Sequence, residues 1–253
     1  MPDDTRTSDP RDQLRRLTPA EREAFLREHS RLPGPRGNLE LLAVAVDVAT
    51  PDELRRWAAL TPEQAPTNTP GEFVTTAGAA GLGRLVVEGE HGDLVALRRL
   101  AADPRWRVRE GVAMALQRIG AADMSALLDI AADWARGDRY EQRAAVAGVA
   151  EPPLLRDRAD ISRSFDVFDA VTQTVPGAPD ARSDPFQVLA KALAYGWSVV
   201  VAADPEQGKA RMERWLASKD PVLRRIMRTN LTKTRLERAD AAWTAAWRER
   251  LRS

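Results

Sequence analysis

The sequence contains no cysteine and only 2 histidines in 253 residues. Without cysteine the chain can form neither a disulfide nor a thiolate zinc site, and it has no cysteine nucleophile. The two histidines, His29 and His91, are too far apart in sequence to predict a histidine-rich metal site. There is also no Ser-His-Asp signature and no paired-carboxylate motif, which disfavours the enzyme classes that need them. We therefore expect no metal and no other cofactor.

Long apolar runs are missing as well. No uninterrupted apolar stretch approaches the roughly 20 residues of a membrane-spanning helix, and residues 1–12 are polar and charged. Hydrophobic residues still make up 43% of the chain, which is normal for a protein with a packed core. These features predict a cytoplasmic protein that does not associate with membranes.

Charge is unevenly distributed along the chain. Residues 205–253 contain 13 Lys and Arg against 6 Asp and Glu, a net charge of +7, whereas the whole chain carries +1 and the remainder is therefore −6. A basic segment of this kind is either a solvated helix face or an electrostatic footprint for phosphate groups. The sequence leaves both interpretations open.

Helix start signals recur through the first ninety residues. Thr18, Thr50 and Thr69 are each followed by Pro and, three positions later, by Glu. This is the pattern of a capping box with Pro in the first helical turn. Proline-bearing segments at 32–37 and 62–70 separate the predicted helices. We also interpret residues 39–49 as a helix, in spite of a partial apolar alternation, because the segments around them are helical.

The glycines within residues 78–83 permit two interpretations. Glycines can let backbone amides approach a phosphate, but a phosphate loop follows a buried strand in a βαβ unit. Here the glycines lie inside a predicted helix over 72–88. Close helix packing through small residues is therefore the favoured interpretation.

Residues 103–120 give the clearest helix pattern. Asp103 supplies a capping acceptor, Pro104 fits the first helical position, and Gly120 predicts a left-handed cap at the end of the helix. Apolar spacings of three and four predict one buried face, formed by Val108, Val112, Ala115, Leu116 and Ile119.

Helix pairs repeat from about residue 92. We predict helices over 93–102, 104–119, 123–136 and 139–149, and superposing the second and fourth aligns Trp106 with Tyr140 and Arg109 with Arg143, an offset of 34 residues. The Asp-Pro start, the following Val-Arg and the small-residue face resemble the second helix of a HEAT repeat, a family of stacked helix pairs. The resemblance implies an all-α fold, a HEAT-like helical-repeat solenoid (an α-α superhelix) forming a single domain. We expect residues 1–11 to be disordered, 12–90 to form N-terminal helices, and 91–253 to continue them as repeats.

The remaining helices are predicted over 160–174, 186–203, 205–217, 222–231 and 236–251. Trp243 and Trp247 fall on one face of the last of these. They predict a cover for the final apolar seam, because a repeat array must finish its core against something. Their alternative use is as a platform for a partner or a base.

Two segments carry a second resemblance, over roughly residues 106–231. The segment 140–145, Tyr-Glu-Gln-Arg-Ala-Ala, and the segment 191–197, Lys-Ala-Leu-Ala-Tyr-Gly-Trp, are similar to parts of the HEAT-like repeat DNA glycosylases, which remove alkylated purines. The resemblance implies that Arg143 approaches a DNA backbone and that Trp197 lies in a cleft. It fails at Arg109, which stands in the place of the catalytic aspartate. A guanidinium would oppose the positive charge that develops on the sugar as the base departs.

Two functions follow from these resemblances. The leading hypothesis is a non-catalytic HEAT-repeat binding or scaffold protein whose concave surface binds a macromolecular partner, protein or DNA. The alternative is a DNA glycosylase acting on alkylated bases, which would need another carboxylate such as Glu110 or Asp138. Arg109 and Arg143 either contact phosphate or form an inter-repeat ladder with acids such as Asp103 or Asp138. We assign no catalytic residue, and the residues expected on the concave binding surface are Trp106, Arg109, Tyr140, Arg143, Lys191 and Trp197.

Overall fold

The computed structural model describes residues 9–252. Over that range the chain forms 15 α-helices, one 3-10 turn at Pro152–Leu154 and no strand. The prediction of an all-α fold is confirmed. The disorder expected for residues 1–11 falls mostly on residues 1–8, which lie outside the described residues. Pro10 and Arg11 already belong to the first helix, because the Asp9 side chain caps it by accepting from the Arg11 amide.

The chain divides into two compact units, Met1–Ala115 and Leu116–Ser253. The division falls inside the seventh helix, rather than at the change from N-terminal helices to repeats that the sequence predicts at residue 90. A single continuous solenoid stays a prediction.

The first unit is built around one long buried helix. Its helices are α1 (Pro10–Arg16), α2 (Pro19–Glu28), α3 (Leu39–Val48), α4 (Pro51–Ala58), α5 (Pro70–Val87), α6 (Asp93–Leu100) and the first part of α7 (Trp106–Ala122). Helix α5 packs against α2, α3, α4 and α6, and nearly all its residues are buried. The helices predicted over 39–49 and 72–88 are confirmed.

The predicted capping boxes form completely at two of three positions. At Thr18 and Thr50 the threonine accepts from the amide three residues on, and the Glu returns a bond to the threonine amide. At Thr69 only the first bond forms. The carboxylate of Glu72 instead accepts from the Asn68 amide at 2.7 Å and from Arg107 at 2.9 Å. A tertiary ion pair has thus replaced half of a local cap.

The glycines of α5 are sites of close helix contact. A Cβ added at Gly78 would lie 2.2 Å from the backbone nitrogen of Ala58, and one at Gly83 would lie 2.5 Å from Cα of Ala115. Since α5 is helical throughout and no strand precedes it in residues 9–69, the packing interpretation is confirmed over the phosphate-loop interpretation.

Helix α7 differs from its prediction at both ends. It begins at Trp106 rather than at Pro104, because the Asp103 carboxylate accepts from the Arg105 amide and guanidinium, which holds these residues in a turn before the helix. Gly120 does not end the helix in a left-handed cap but lies within it. There a Cβ would meet Leu127 Cδ2 at 2.5 Å, so the glycine serves packing. The predicted core face is confirmed, since all five of its residues are buried.

The second unit consists of two layers of helices. It contains α8 (Met124–Trp134), α9 (Arg139–Val149), α10 (Arg158–Thr172), α11 (Asp184–Ala203), α12 (Pro205–Leu216), α13 (Pro221–Leu231), α14 (Thr234–Ala239) and α15 (Ala241–Arg250). Helices α9, α11 and α13 pack on one another in succession, as do α8, α10 and α12. With α8–α9, α10–α11 and α12–α13 as the pairs, the second helices pack mainly with one another, whereas the first helices α8 and α12 pack most closely with second helices.

The last predicted helix, 236–251, is wrong in one respect. It is two helices, α14 and α15, separated by Asp240 in an extended conformation with φ of −161°. The Asp240 carboxylate caps α15 at the Trp243 amide and also accepts from Lys209 at 2.6 Å. Trp243 and Trp247 are half-buried on α15, and both indole N–H groups donate to Glu213 of α12.

Helix α11 is the only described helix that is long and apolar enough to cross a membrane, with a mean hydropathy of 1.4 over its best window. Polar residues interrupt its apolar run, so the sequence did not predict it as a candidate span. In the structure 56% of that window is buried against other helices, as in a core helix. Asn230 of α13 is hydrogen-bonded to the backbone of α11: it accepts from the Ser198 amide and donates to the Leu193 carbonyl, both at 2.9 Å.

Candidate functional site

Three of the six predicted binding residues are buried, and the other three keep accessible surface. Trp197 is completely buried, donates its indole N–H to Thr172 Oγ1 at 2.9 Å, and packs edge-on against Phe168. The expectation that Trp197 packs against a sugar or base is therefore corrected, because its ring is part of the core of the second unit. The periodicity of α11 already placed position 197 on the same side as Leu193 and Val200, which are also buried.

Arg109 and Arg143 are also buried, at 9% and 8% exposure. The Arg109 guanidinium donates to the backbone carbonyls of Asp103 and Pro104 at 2.5 and 3.0 Å. Arg105 binds the Asp103 carboxylate at 2.6 Å, and the expected pairing of Arg109 with an acid stays a prediction. Burial leaves both arginines little surface to offer a phosphate.

The other three predicted residues keep accessible surface. Trp106 is 47% exposed, with the Arg107 guanidinium 4.4 Å from its ring centroid. Tyr140 is half-buried in the first turn of α9, and Lys191 is exposed on α11. Of the sequence-predicted set, Lys191 is the one that lies in a cluster of further cations within its own unit.

That cluster, called the basic face here, consists of Lys191 and Tyr195 of α11, Arg225 of α13, Lys233, and Arg235 of α14. Lys191 and Tyr195 are one helical turn apart and share a side of α11. Lys191 and Arg225 line a shallow groove of about 250 Å³ between α11 and α13. The other lining residues carry no charge, and they are Gln187, Ala190, Ala194, Ile226 and Thr229.

Tyr195 lies at the far end of the basic face and is held by cations. The Arg235 guanidinium carbon is 4.6 Å from its ring centroid, and an Arg235 nitrogen donates to the phenol oxygen at 2.8 Å. Lys233 lies farther away, with Nζ 6.0 Å from the centroid, the outer limit of a cation–π contact. The side chain remains 47% exposed, so it is an aromatic surface with a fixed orientation.

Acidic residues of the second unit are engaged elsewhere, in ion pairs between neighbouring helix pairs. Arg163 binds Asp129 across α10 and α8, and Arg211 binds Asp166 and Asp169 across α12 and α10. These ion pairs form a ladder along α8, α10 and α12, the layer of first helices. The predicted pairing of Arg109 and Arg143 with acids such as Asp103 or Asp138 stays a prediction.

Two more acids of this unit are bound by specific cations. Arg139 binds Asp180 at 2.8 Å, and this hydrogen bond holds the pKa of the Asp180 carboxyl below its ordinary value. The hydrogen bond from Lys209 lowers the pKa of Asp240 in the same way. Both carboxylates thus stay ionised, and their charge is already neutralised by an adjacent cation.

By contrast, within the part of the chain that the structure describes, no carboxylate pairs with Lys191, Arg225, Lys233 or Arg235. Arg228, one turn from Arg225 on the exposed side of α13, is likewise unpaired there. Two of these cations line one groove and two lie at Tyr195, one helical turn along α11 from Lys191. Cations without counter-charges produce a local positive potential. Arg225 and Arg235 were not among the predicted binding residues, although the positive net charge of residues 205–253 and the spacing of the exposed α13 arginines indicated them.

The first unit contains a separate cleft of about 560 Å³ at the start of α7. Its apolar lining includes Leu39, Phe73 and Trp106, and the exposed carboxylate of Glu110 opens into it one helical turn after Trp106. Arg107 forms part of the wall and is held in place, because it binds the buried Glu72 and donates to the Gly34 carbonyl. The remaining lining residues are Arg31, Pro35, Arg36, Gly37, Glu40, Leu42, Thr76 and Met114.

Among residues 9–252 there is no group of three or more His, Asp or Glu side chains placed to hold a metal ion. No protein-family model matches the sequence, and no curated protein matches it either. Functional assignment therefore depends on the geometry and charge of the basic face and the cleft.

Proposed function

We propose that this protein is a non-catalytic HEAT-like repeat protein that binds nucleic acid through the basic face of its second unit. Four cations without a carboxylate partner among the described residues carry the proposal: Lys191 and Arg225 line one groove, and Lys233 and Arg235 lie at the exposed ring of Tyr195. We expect it to act in the cytoplasm and without a cofactor.

The packing of the second unit supports a repeat architecture. In HEAT-like arrays, successive second helices stack side by side and form one surface. Here α9, α11 and α13 pack in that order, and the ion pairs of the ladder join residues 34 to 45 positions apart. Both features are what a regular stack of helix pairs would produce. The basic face then lies on the surface formed by second helices.

Nucleic acid is favoured over an acidic protein because of the residue types present. Arg225 and Arg235 carry guanidinium groups, which suit phosphate oxygens, and Lys191 adds a point charge. Tyr195 provides an aromatic surface among them, which matches the ring faces of bases. The net charge of the whole chain is only +1, so binding should be local and modest rather than a general affinity for polyanions.

The test is a titration of labelled DNA with protein across a salt series. For each phosphate contact, the logarithm of the binding constant should fall with the logarithm of salt concentration by roughly 0.7 to 0.9. Lys191→Ala and Arg225→Ala should each weaken binding equally for unrelated sequences and reduce that slope by about one unit.

Lys209→Ala is the matched control, because Lys209 is a lysine of the same unit whose charge is already bound to Asp240 at 2.6 Å. It should leave the slope unchanged. Equal losses for Lys191→Ala and Lys209→Ala would mean that only overall charge matters. No binding at low salt would refute the proposed function.

A second candidate function is supported by one observation in the first unit. The glycosylase alternative requires a carboxylate in a cleft, and Glu110 lines the 560 Å³ cleft beside Trp106. A carboxylate there has the correct sign to stabilise positive charge on a sugar as a base leaves. Arg109, the residue that stands in the aspartate's place, is buried away from this role.

This candidate is tested by incubating the protein with alkylated duplex DNA and measuring free base. Release that is abolished by Glu110→Gln and retained by Glu40→Gln, a control carboxylate on the same cleft, would establish it. Absence of release from the unaltered protein would eliminate it and leave the binding function untouched.

A further inference from the structure

We infer that the basic face selects single-stranded nucleic acid over duplex, with Tyr195 as the stacking platform for an unpaired base. The inference depends on the proposed function, since it names the form of nucleic acid that the same face binds. It concerns Tyr195, Lys191 and Arg225, none of which is buried.

The position of Tyr195 among the cations is the first step. Proteins that bind single strands combine a positive groove for the backbone with aromatic rings on which bases stack. Lys191 lies one turn away from Tyr195 on α11, and Arg225 lies across the groove from Lys191. A strand whose base stacks on Tyr195 would therefore place its neighbouring phosphates within reach of these two cations.

The fixed orientation of the ring is the second step. Arg235 both lies against the ring at 4.6 Å and donates to the phenol oxygen at 2.8 Å, so two contacts determine where the ring points. A side chain that is ordered before binding loses little conformational freedom on binding, which favours affinity. Tyr195 as a whole stays 47% exposed, so part of the residue remains accessible to a base.

A duplex offers the ring of Tyr195 no unpaired base on which to stack. Its bases are already stacked and paired, and their exposed edges and phosphates give an aromatic ring no face to cover. Unstacking a base has a free-energy cost that a single strand does not incur. Tyr195 should accordingly contribute to single-strand binding alone, while Lys191 and Arg225 contribute to both forms through phosphate.

The experiment measures fluorescence anisotropy of a labelled oligothymidylate of about 15 nucleotides and of a duplex of equal length. The unaltered protein should bind the single strand more tightly. Tyr195→Ala should weaken single-strand binding about 5- to 10-fold, the lower range for loss of one stacked base, and leave duplex binding unchanged. Tyr195→Phe keeps the ring and should retain most of the single-strand affinity. Val95→Ala, at an exposed apolar position of the first unit, should change neither.

The outcomes separate this inference from the proposed function. If duplex binds as tightly as single strand, or if Tyr195→Ala weakens both alike, the stacking role is refuted while nucleic-acid binding stands. If neither form binds, both fail. A further outcome is that poly-L-glutamate competes for the face as effectively as oligothymidylate does. This would show that an acidic protein binds the face equally well, and it would also overturn the inference.

Discussion

Replacing Gly78 by Ala should destabilise the first unit, although alanine is the better helix former. In a free helix the exchange would gain about 1 kcal/mol. In this structure the new Cβ would lie 2.2 Å from the backbone nitrogen of Ala58 and 2.7 Å from the carbonyl carbon of Trp57. Cβ contacts essentially never fall below 3.0 Å, so helices α4 and α5 would have to move apart.

The loss of stability depends on which atoms would have to move to make room for the new Cβ. The nearest atoms are backbone, which cannot rotate away as a flexible side chain can, and Trp57 is itself fully buried. Overpacking a close-packed site costs about 1–3 kcal/mol, and occasionally more. Rigid backbone places Gly78→Ala at the upper end of that range, so that about 2 kcal/mol should be lost after the gain in helix propensity.

Urea unfolding followed by far-ultraviolet circular dichroism measures the effect as a lower midpoint at unchanged slope. Gly92→Ala is the control, because a Cβ at Gly92 meets nothing within 4 Å. It should change stability by no more than about 1 kcal/mol. If Gly78→Ala were as stable as the unaltered protein, the close contact of α4 and α5 would be refuted.

Three further predictions concern buried and paired groups. Trp197→Ala should lower stability by about 3–5 kcal/mol in thermal unfolding, yet leave DNA affinity unchanged at temperatures where the variant stays folded, because Trp197 is a core residue. Glu72→Gln should cost about 3 kcal/mol or more in the same assay, since it leaves a buried guanidinium without its counter-ion. Arg139→Gln should raise the pKa of Asp180, followed by carboxyl-carbon NMR. Since the folded pKa of Asp180 is lowered, its contribution to stability is complete above its unfolded pKa of about 3.9 and is lost as pH falls through the lower folded value. The acid limb of the stability curve should therefore be flatter in Arg139→Gln.

Local signals in the sequence were sufficient for most helices. The Thr-Pro helix starts at Thr18 and Thr50 depend only on residues close in sequence, and both are confirmed. The same holds for the apolar face that includes Leu116. The errors occur at carboxylates that also bind a cation, whether that cation is close in sequence or far away. Asp103 binds the Arg105 guanidinium and so delays α7 by two residues, and Asp240 caps a new helix while it binds Lys209.

The binding residues were harder to predict because charge alone does not show exposure. Arg143 and Trp197 were predicted from the family resemblance, and both are buried. Arg225 is an arginine on a helix, as Arg143 is, yet it is exposed. A guanidinium buried against backbone and one facing solvent look alike in sequence. Arg105 illustrates the first case, since it is 2% exposed and donates to carbonyls of residues 60, 61 and 65.

The arrangement of ion pairs explains how a nearly neutral chain can present a positive surface. In the second unit, the acids Asp129, Asp166 and Asp169 lie on α8 and α10 and are neutralised by arginines of α10 and α12, the layer of first helices. Lys191 and Arg225 belong to the layer of second helices, where no described carboxylate reaches them. Their field is therefore not cancelled at short range, and at physiological salt a field is felt only over roughly 8 Å. A phosphate that approaches α11 and α13 would experience these cations and little of the acidic remainder, so the net charge of +1 does not oppose local binding of nucleic acid.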